Sequence, residues 1–135
     1  MKTENEISYL IRGAAFKVYN RLGPGLLESV YEKAMAYELK KADLITECQL
    51  GIPMTYEDIQ FEIGFRLDIL VNRSVIIEIK SVDSMLDVHH KQLLTYLRLM
   101  NIKLGLLIKY LIFLNEIFTV SQISDAFVIT AFSSQ

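Results

Sequence analysis

The sequence predicts a single α/β domain with the element order α-α-β-β-β-α-β. Apolar residues recur at helical spacing up to about residue 41, and from residue 46 they alternate with other residues, as in strands. Further along, a helical segment separates two short apolar runs. A helix that joins two buried strands indicates a parallel crossover between them.

The two N-terminal helices have recognisable start and stop signals. Thr3 and Glu6 have the spacing of a capping box, and the first helix is then expected to bury Ile7, Leu10, Ile11, Ala14, Val18 and Leu22. The Gly23-Pro24-Gly25 segment ends it, and Pro24 suits the first turn of a second helix. That helix is expected to reach about Lys41 and to bury Leu27, Val30, Ala34 and Leu39 or near neighbours.

The strands follow from residue 46. Residues 46–56 predict a strand that is interrupted or ends near Pro53. The next strand is expected to have one apolar face, formed by Phe61, Ile63, Phe65, Leu67, Ile69 and Val71, and a second face formed by Glu62, Gly64, Arg66, Asp68 and Leu70. Residues 75–80 and 104–108 suit buried strands. The helix between them, from about Asp87 to Asn101, is expected to bury Leu93, Leu97 and Met100.

Composition limits the class of protein. The 135 residues have one compositional regime, with 52% hydrophobic and 22% charged residues, which predicts one folded domain over residues 1–135. The one cysteine excludes an intramolecular disulfide and favours a reduced intracellular setting. A polar N-terminus and the absence of a long apolar stretch predict a soluble, cytoplasmic protein with no membrane partner. The net charge of −2 predicts weak binding to nucleic acid without metal.

Charged residues at two strand ends form the strongest candidate site. Asp68 lies near the end of one strand, and Glu78 and Lys80 share a face at the end of the next because they are two residues apart. Two carboxylates on neighbouring strands can hold Mg²⁺, and an ammonium group beside them can orient a water or neutralise charge on phosphorus. These residue types suit phosphodiester hydrolysis. The alternative for the same residues is a solvated, salt-bridged rim.

The connection between these strands decides whether the acids meet. A two-residue turn at Asn72-Arg73 would set Asp68 opposite Ile77 and the acids on opposite faces. A three-residue connection that includes Ser74 sets Asp68 opposite Glu78. We expect the odd-length connection or an equivalent bulge, because it also joins the apolar faces.

Glu28 is the candidate third carboxylate. Gly25, Glu28 and Tyr31 are three residues apart and share one helix face, so we expect Glu28 within about 8 Å of Asp68 or Glu78. The alternative is a glutamate that only caps its own helix. Candidates for substrate contacts are Arg66, Lys91, Arg98 and Tyr31, with ion pairs or solvated helix charges as the alternative for the three cations.

Several segments occur in the order of a known family. They are residues 22–32 (LGPGLLESVYE), 36–39 (AYEL), 65–71 (FRLDILV), 75–81 (VIIEIKS), 89–97 (HHKQLLTYL) and 105–108 (GLLI). Over about residues 7–108 the chain resembles the GxxExxY protein family, which is assigned to the PD-(D/E)XK nuclease superfamily. Lys109-Tyr110 departs from the Asn-Phe that is usual there, and residues 109–135 are atypical.

The resemblance implies a restriction-endonuclease-like core, in which a mixed central sheet is flanked by helices. It implies that Asp68, Glu78 and Lys80 are the catalytic triplet, with Glu28 and Gln92 in support. The expected function is a metal-dependent nuclease that uses Mg²⁺ or Mn²⁺ on nucleic acid, with DNA expected and RNA left open. One alternative is a catalytically silent nucleic-acid- or protein-binding module on the nuclease fold. Another is a structural homodimer module that uses the apolar residues 111–118.

Overall fold

The structure is a computed structural model that describes residues 1–81, 87–110, 115–123 and 126–134. Its elements, in chain order, are α1 (Glu4–Leu22), α2 (Glu28–Lys41), β1 (Thr46–Tyr56), β2 (Ile59–Val71), β3 (Val75–Lys80), α3 (Asp87–Met100), β4 (Leu104–Tyr110), β5 (Asn115–Ile123) and β6 (Ala126–Ser134). The predicted order is confirmed up to β4. Two further strands, β5 and β6, follow it.

The six strands form one mixed sheet in the order β1-β2-β3-β4-β5-β6. Strands β3 and β4 are parallel, and the other neighbouring pairs are antiparallel. Since α3 connects the two parallel strands, the carboxyl ends of β3 and β4 lie at the same edge of the sheet. Lys80 and Lys109 are paired at that edge.

Helices cover both faces of the sheet, so the core has two layers. Helices α1 and α2 pack on one face, where their buried residues meet Ile69, Ile77 and Ile108. Helix α3 packs on the other face, where Leu93 and Leu97 meet Ile76 and other strand residues. The nearly continuous apolar sequence of β3 is explained by this double coverage.

The N-terminal helices confirm the predicted cap but correct one buried face. Thr3 and Glu6 form the capping box, with hydrogen bonds of 2.8 and 3.1 Å. In α2, Leu27 is 73% and Val30 39% exposed, and the buried residues are instead Tyr31, Met35 and Leu39. The buried face is rotated because Tyr31 points into the core. In the part of the chain that the structure describes, no helix is long and apolar enough to cross a membrane.

Strand β2 contributes to both layers, which corrects the predicted single apolar face. Ile69 and Val71 belong to the core beneath α1 and α2, whereas Leu67 belongs to the core beneath α3 and Phe65 packs against that core. The apolar face therefore changes between Leu67 and Ile69, at Asp68. At this position the regular alternation of a strand is interrupted.

The β1–β2 pair contains a close backbone approach. Strand β1 continues through Pro53, with a register shift between Ile52 and Met54. The predicted interruption near Pro53 is thus confirmed, and the strand does not end there. Across the shift, a Cβ on Gly64 would lie 1.8 Å from the Ile52 carbonyl oxygen, so this position accepts no side chain without a backbone movement.

The C-terminal strands extend the sheet rather than leaving an unpaired tail. Strand β5 pairs with both β4 and β6, and its Ile117 is buried in the core. Residues 115–118, which we considered as a dimer contact, thus have sheet partners on both sides. Residues 111–114 of the same segment lie outside the described residues.

Candidate metal centre

The connection between β2 and β3 confirms the predicted register. The connection is Asn72-Arg73-Ser74, and Val71 pairs with Val75 and Ile69 with Ile77. Asn72 and Arg73 have φ angles of 49° and 52°, and the Ser74 amide donates to the Val71 carbonyl at 2.9 Å. The next position along this register sets Asp68 opposite Glu78.

At that position, the two acidic side chains take the place of the backbone ladder. The Asp68 amide donates to Glu78 Oε1 at 3.2 Å, and the Ile79 amide donates to Asp68 Oδ2 at 2.8 Å. Each carboxylate is therefore fixed by the backbone of the opposite strand. The acids lie side by side, as the odd-length connection predicted.

Burial and repulsion make this pair electrostatically unfavourable. Glu78 is 3% exposed, and its pKa is raised to about 9, first by burial and then by the negative charge of Asp68. Lys80 lowers the pKa of Glu78, which is consistent with their common strand face. Among the described side chains, no cation forms an ion pair with either acid. A bound cation would relieve both the repulsion and the cost of burial.

The donor set fits a hard divalent cation that keeps several of its waters. In the described part of the chain, no group of three or more His, Cys, Asp or Glu residues is arranged to hold a metal. Mg²⁺ is commonly bound through one or two carboxylates together with waters and substrate phosphates. Asp68 and Glu78 supply those two carboxylates.

Asp68 is also connected to α2 through a residue of β1. Gln49 has a φ of 52° and lies at the position opposite Asp68, which the β1–β2 ladder skips. Its Nε2 donates to Glu32 Oε2 at 2.8 Å and to Asp68 Oδ1 at 3.3 Å. The pKa of Glu32 is raised, mainly because the carboxyl group is partly buried and also because Asp68 is negatively charged. The hydrogen bond from Gln49 acts in the opposite direction and lowers this pKa. Gln49 thus bridges two carboxylates.

Glu28 faces the end of β3 and not only its own helix. It is the first residue of α2, and its Oε1 accepts a hydrogen bond from the Ser81 amide at 3.4 Å. Glu28, Glu32, Gln49 and Asp68 line one cleft of about 370 Å³. This contact favours the third-carboxylate interpretation over simple helix capping. The separation of about 8 Å stays a prediction.

Tyr31 supports the turn before Glu28, and the structure does not support its predicted contact with substrate. Its side chain is fully buried and stacks on Tyr110, with ring centroids 4.2 Å apart. Its hydroxyl donates to the Gly23 carbonyl at 2.6 Å and accepts from the Leu26 amide at 3.2 Å. Because these groups satisfy the hydroxyl, Tyr31 positions the segment that leads into Glu28.

Gln92 lies beside a buried tyrosine on α3. Its side chain forms a hydrogen bond with Tyr96, which is 3% exposed and packs edge-on against Phe65 with centroids 5.4 Å apart. The pKa of Tyr96 is raised to about 12, first by burial and then by the negative charges of Glu78 and Asp68. Gln92 and Tyr96 therefore approach the acid pair from the α3 side.

The three candidate phosphate-binding cations lie at different distances from this centre. Arg66 donates to the Gln49 carbonyl at 3.2 Å, which places it at the rim near Asp68. Lys91 and Arg98 are both exposed on α3. Arg98 is in the last turn of the helix, about 9 Å along the helix axis from Gln92. Contacts of these residues with substrate stay predictions.

Three residues of the site were missed by sequence reasoning. Glu32 follows Glu28 by four positions and Tyr96 follows Gln92 by four, so helical spacing could have identified both. Gln49 had no such signal, because its role depends on a positive φ in the middle of a strand.

Comparisons with known proteins support the superfamily to which the GxxExxY family is assigned, and membership of the GxxExxY family itself stays a prediction. A family model described as the PD-(D/E)XK nuclease superfamily matches residues 5–118. This match includes every candidate site residue named above. No curated protein and no solved structure gave a significant match.

Proposed function

We propose that this chain, which belongs to the PD-(D/E)XK nuclease superfamily, is a metal-dependent nuclease that hydrolyses phosphodiester bonds, with DNA as the expected substrate. The observation that carries the proposal is the acid pair. Asp68 and Glu78 lie side by side in a partly buried setting, and Lys80 is on the strand face of Glu78. The two hydrogen bonds that these acids accept from strand amides do not require a pair of neighbouring carboxylates, whereas a cation site does.

Asp68 and Glu78 would hold Mg²⁺ or Mn²⁺ through their carboxylate oxygens. When bound, the cation polarises a phosphoryl oxygen and lowers the pKa of a water ligand. The backbone amides of Asp68 and Ile79 orient the two carboxylates before any ligand arrives. Such preorganisation reduces the free energy that is spent on ordering the site when it binds.

Lys80 would act on the phosphate and its attacking water. Its ammonium group is on the face of Glu78 and can donate hydrogen bonds to that water or to the charge that develops on phosphorus. Glu28 and Gln92 approach from α2 and α3, where they can accept from or donate to water at the centre. Gln49 would hold Asp68 in position from the β1 side.

The direct test is a cleavage assay with matched variants. Supercoiled, linear and branched DNA and single-stranded RNA are each incubated with the protein in Mg²⁺, in Mn²⁺ and in chelator. We expect products with metal and none in chelator, and loss of products in the Glu78→Gln and Lys80→Ala variants. Asp58→Asn, an exposed acid in the β1–β2 turn, is the control and should cleave normally.

The same assay tests the alternative of a silent binding module. Binding of nucleic acid without cleavage in either metal would support that alternative and overturn the proposed activity. Cleavage that persists unchanged in Glu78→Gln would show a contaminating nuclease or a different site.

A further inference from the structure

A second lysine lies next to Lys80, and the function described above does not use it. Lys109 is the penultimate residue of β4, and it pairs directly with Lys80 on the parallel strand β3. Paired residues of neighbouring strands point to the same face, so Lys109 shares the face of Lys80 and Glu78. It is 4% exposed, which is unusual for a lysine.

The start of α3 lies close to this lysine pair. The pKa of His89, in the first turns of α3, is lowered by burial and then by Lys80, His90 and Lys109, while Glu28 raises it. These interactions place the start of α3 at the edge where Lys80 and Lys109 end their strands. The N-terminus of a helix adds partial positive charge and free amide donors.

The described acids around this charge are Glu78, which interacts with Lys80, and Glu28, which interacts with His89. Among the described residues, neither lysine forms an ion pair. The residue opposite Lys109 on β5 is Glu116, whose side chain lies outside the described part of the chain. Burial of an ammonium group beside a second one is costly unless an anion joins them.

We propose that Lys109, together with Lys80 and the start of α3, forms an anion subsite that binds a second backbone phosphate of the substrate, next to the phosphate that is cleaved. This inference rests on the proposed nuclease function for the identity of the anion. Neighbouring strands lie about 4.8 Å apart, so two long side chains on β3 and β4 can serve adjacent phosphates of one nucleic-acid strand. Lys80 serves the phosphate at the acid pair, and Lys109 serves the next one, on the side away from Asp68.

The first test uses inorganic phosphate, which does not depend on nuclease activity. Melting temperatures are measured in sodium phosphate and in sodium chloride of equal ionic strength for the native chain, Lys109→Met and Lys103→Met. Lys103 is an exposed lysine in the connection between α3 and β4, so its variant has the same change in net charge. We expect phosphate to stabilise the native chain and Lys103→Met, and we expect Lys109→Met to lose this effect. An equal phosphate effect in all three proteins would overturn the subsite.

The second test uses DNA oligonucleotides in which single phosphates are replaced by neutral methylphosphonates. Binding is measured by fluorescence anisotropy in the non-cleaving Glu78→Gln background. One replacement beside the scissile position should weaken binding about 10-fold, as expected for one charge-assisted contact. Lys109→Met should weaken binding of unmodified DNA by the same factor as the methylphosphonate does. The variant should bind the modified DNA no more weakly than the unmodified DNA. The slope of the logarithm of the binding constant against the logarithm of salt concentration should decrease in magnitude by about one for this variant, which corresponds to one lost phosphate contact.

The outcomes separate this inference from the nuclease proposal. A phosphate effect that depends on Lys109, in a protein that neither binds nor cleaves nucleic acid, supports the anion subsite and refutes the nuclease function. Cleavage with additive losses from Lys109→Met and every methylphosphonate supports the nuclease and refutes the subsite. If Glu116→Gln and Lys109→Met destabilise the protein equally and the phosphate effect survives both, Lys109 is a structural ion-pair partner and the inference is wrong.

Discussion

The backbone amide of Asp68 donates to the carboxylate of Glu78, the residue opposite it on the neighbouring strand. The reciprocal contact runs from the Ile79 amide to the Asp68 carboxylate. The backbone-paired residues next to the acids are Ile69 and Ile77, one position closer to the connection. The acids thus satisfy strand amides, and in the proposed site their remaining oxygens would bind the cation. Variants that keep an acceptor oxygen, Asn and Gln, are the appropriate tests.

Divalent metal should stabilise the folded protein through these acids. Binding to the folded state alone raises the free energy of unfolding, by about 2.7 kcal/mol at a metal concentration of 100 Kd. We expect millimolar Mn²⁺ or Mg²⁺ to raise the melting temperature of the native chain and of Asp58→Asn. Asp68→Asn and Glu78→Gln should lose this shift. Equal shifts in all four proteins would locate the metal elsewhere.

The stability of the metal-free protein should fall as the pH rises. The pKa of the Glu78 carboxyl is raised from 4.5 to about 9, so the folded chain holds this proton more tightly than the unfolded chain. The contribution of this proton to the free energy of unfolding is fully present below about pH 4.5 and is lost progressively up to about pH 9. In chelator, the melting temperature should therefore decrease across this range, and Glu78→Gln should flatten the decrease.

The same titration predicts the pH dependence of metal binding. A cation competes with the proton of Glu78, so the shift in melting temperature caused by Mg²⁺ should be larger at about pH 8.5 than at about pH 6. Calorimetric titration in buffers of different ionisation enthalpy should detect the released proton. A metal-induced shift that does not change with pH would contradict this assignment.

Lys80→Ala should separate binding from catalysis. Lys80 is half-buried at the end of β3, and its removal takes away one preorganised charge near the acids. We expect cleavage to fall by about 10²–10³-fold, while the metal-induced shift in melting temperature is retained. Single-turnover cleavage rates measure the effect. Unchanged rates would exclude Lys80 from the mechanism.

Gly64→Ala should destabilise the fold through the β1–β2 pair. The added Cβ would meet the Ile52 carbonyl oxygen, whereas a Cβ on Gly51 would meet nothing within 4 Å. We expect a loss of about 1–3 kcal/mol for Gly64→Ala, from strain and backbone shifts. Gly51→Ala is the matched control and should change stability by less than about 0.5 kcal/mol. Urea unfolding of both variants gives the comparison.

Tyr31→Phe should loosen the segment before Glu28 and leave the core filled. The variant keeps the ring that stacks on Tyr110 and removes the hydroxyl that bridges Gly23 and Leu26. The Gly23 carbonyl and the Leu26 amide would each lose a partner, at a cost of about 1–2 kcal/mol. Faster hydrogen exchange at the Leu26 amide, with unchanged exchange in α1, would show that the effect is local. No change at Leu26 would contradict a positioning role.

Sequence patterns were sufficient for those parts of the site that depend on local geometry. The spacing of Glu78 and Lys80, and the three residues that follow Val71, determine which side chains share a face, and both were predictable from the period of a strand. The change of face at Asp68 was not predictable, because apolar residues continue on both sides of it. The Gln49 bridge was missed for a related reason, because the identity of a single polar residue does not indicate that its φ angle is positive. The buried face of α2 depended on the ring of Tyr110, which is 79 positions away in the sequence.

Strand β2 supplies side chains to the core on each side of the sheet, so the packing of the two layers is coupled. Helices α1 and α2 pack on Ile69 and Val71, and α3 packs on the core that contains Leu67, within the same few residues of backbone. Loss of packing on one side therefore removes support from the other, and the layers should unfold together in a single cooperative transition. A ligand that immobilises Asp68 would then slow hydrogen exchange in all three helices, although it touches only the edge between them.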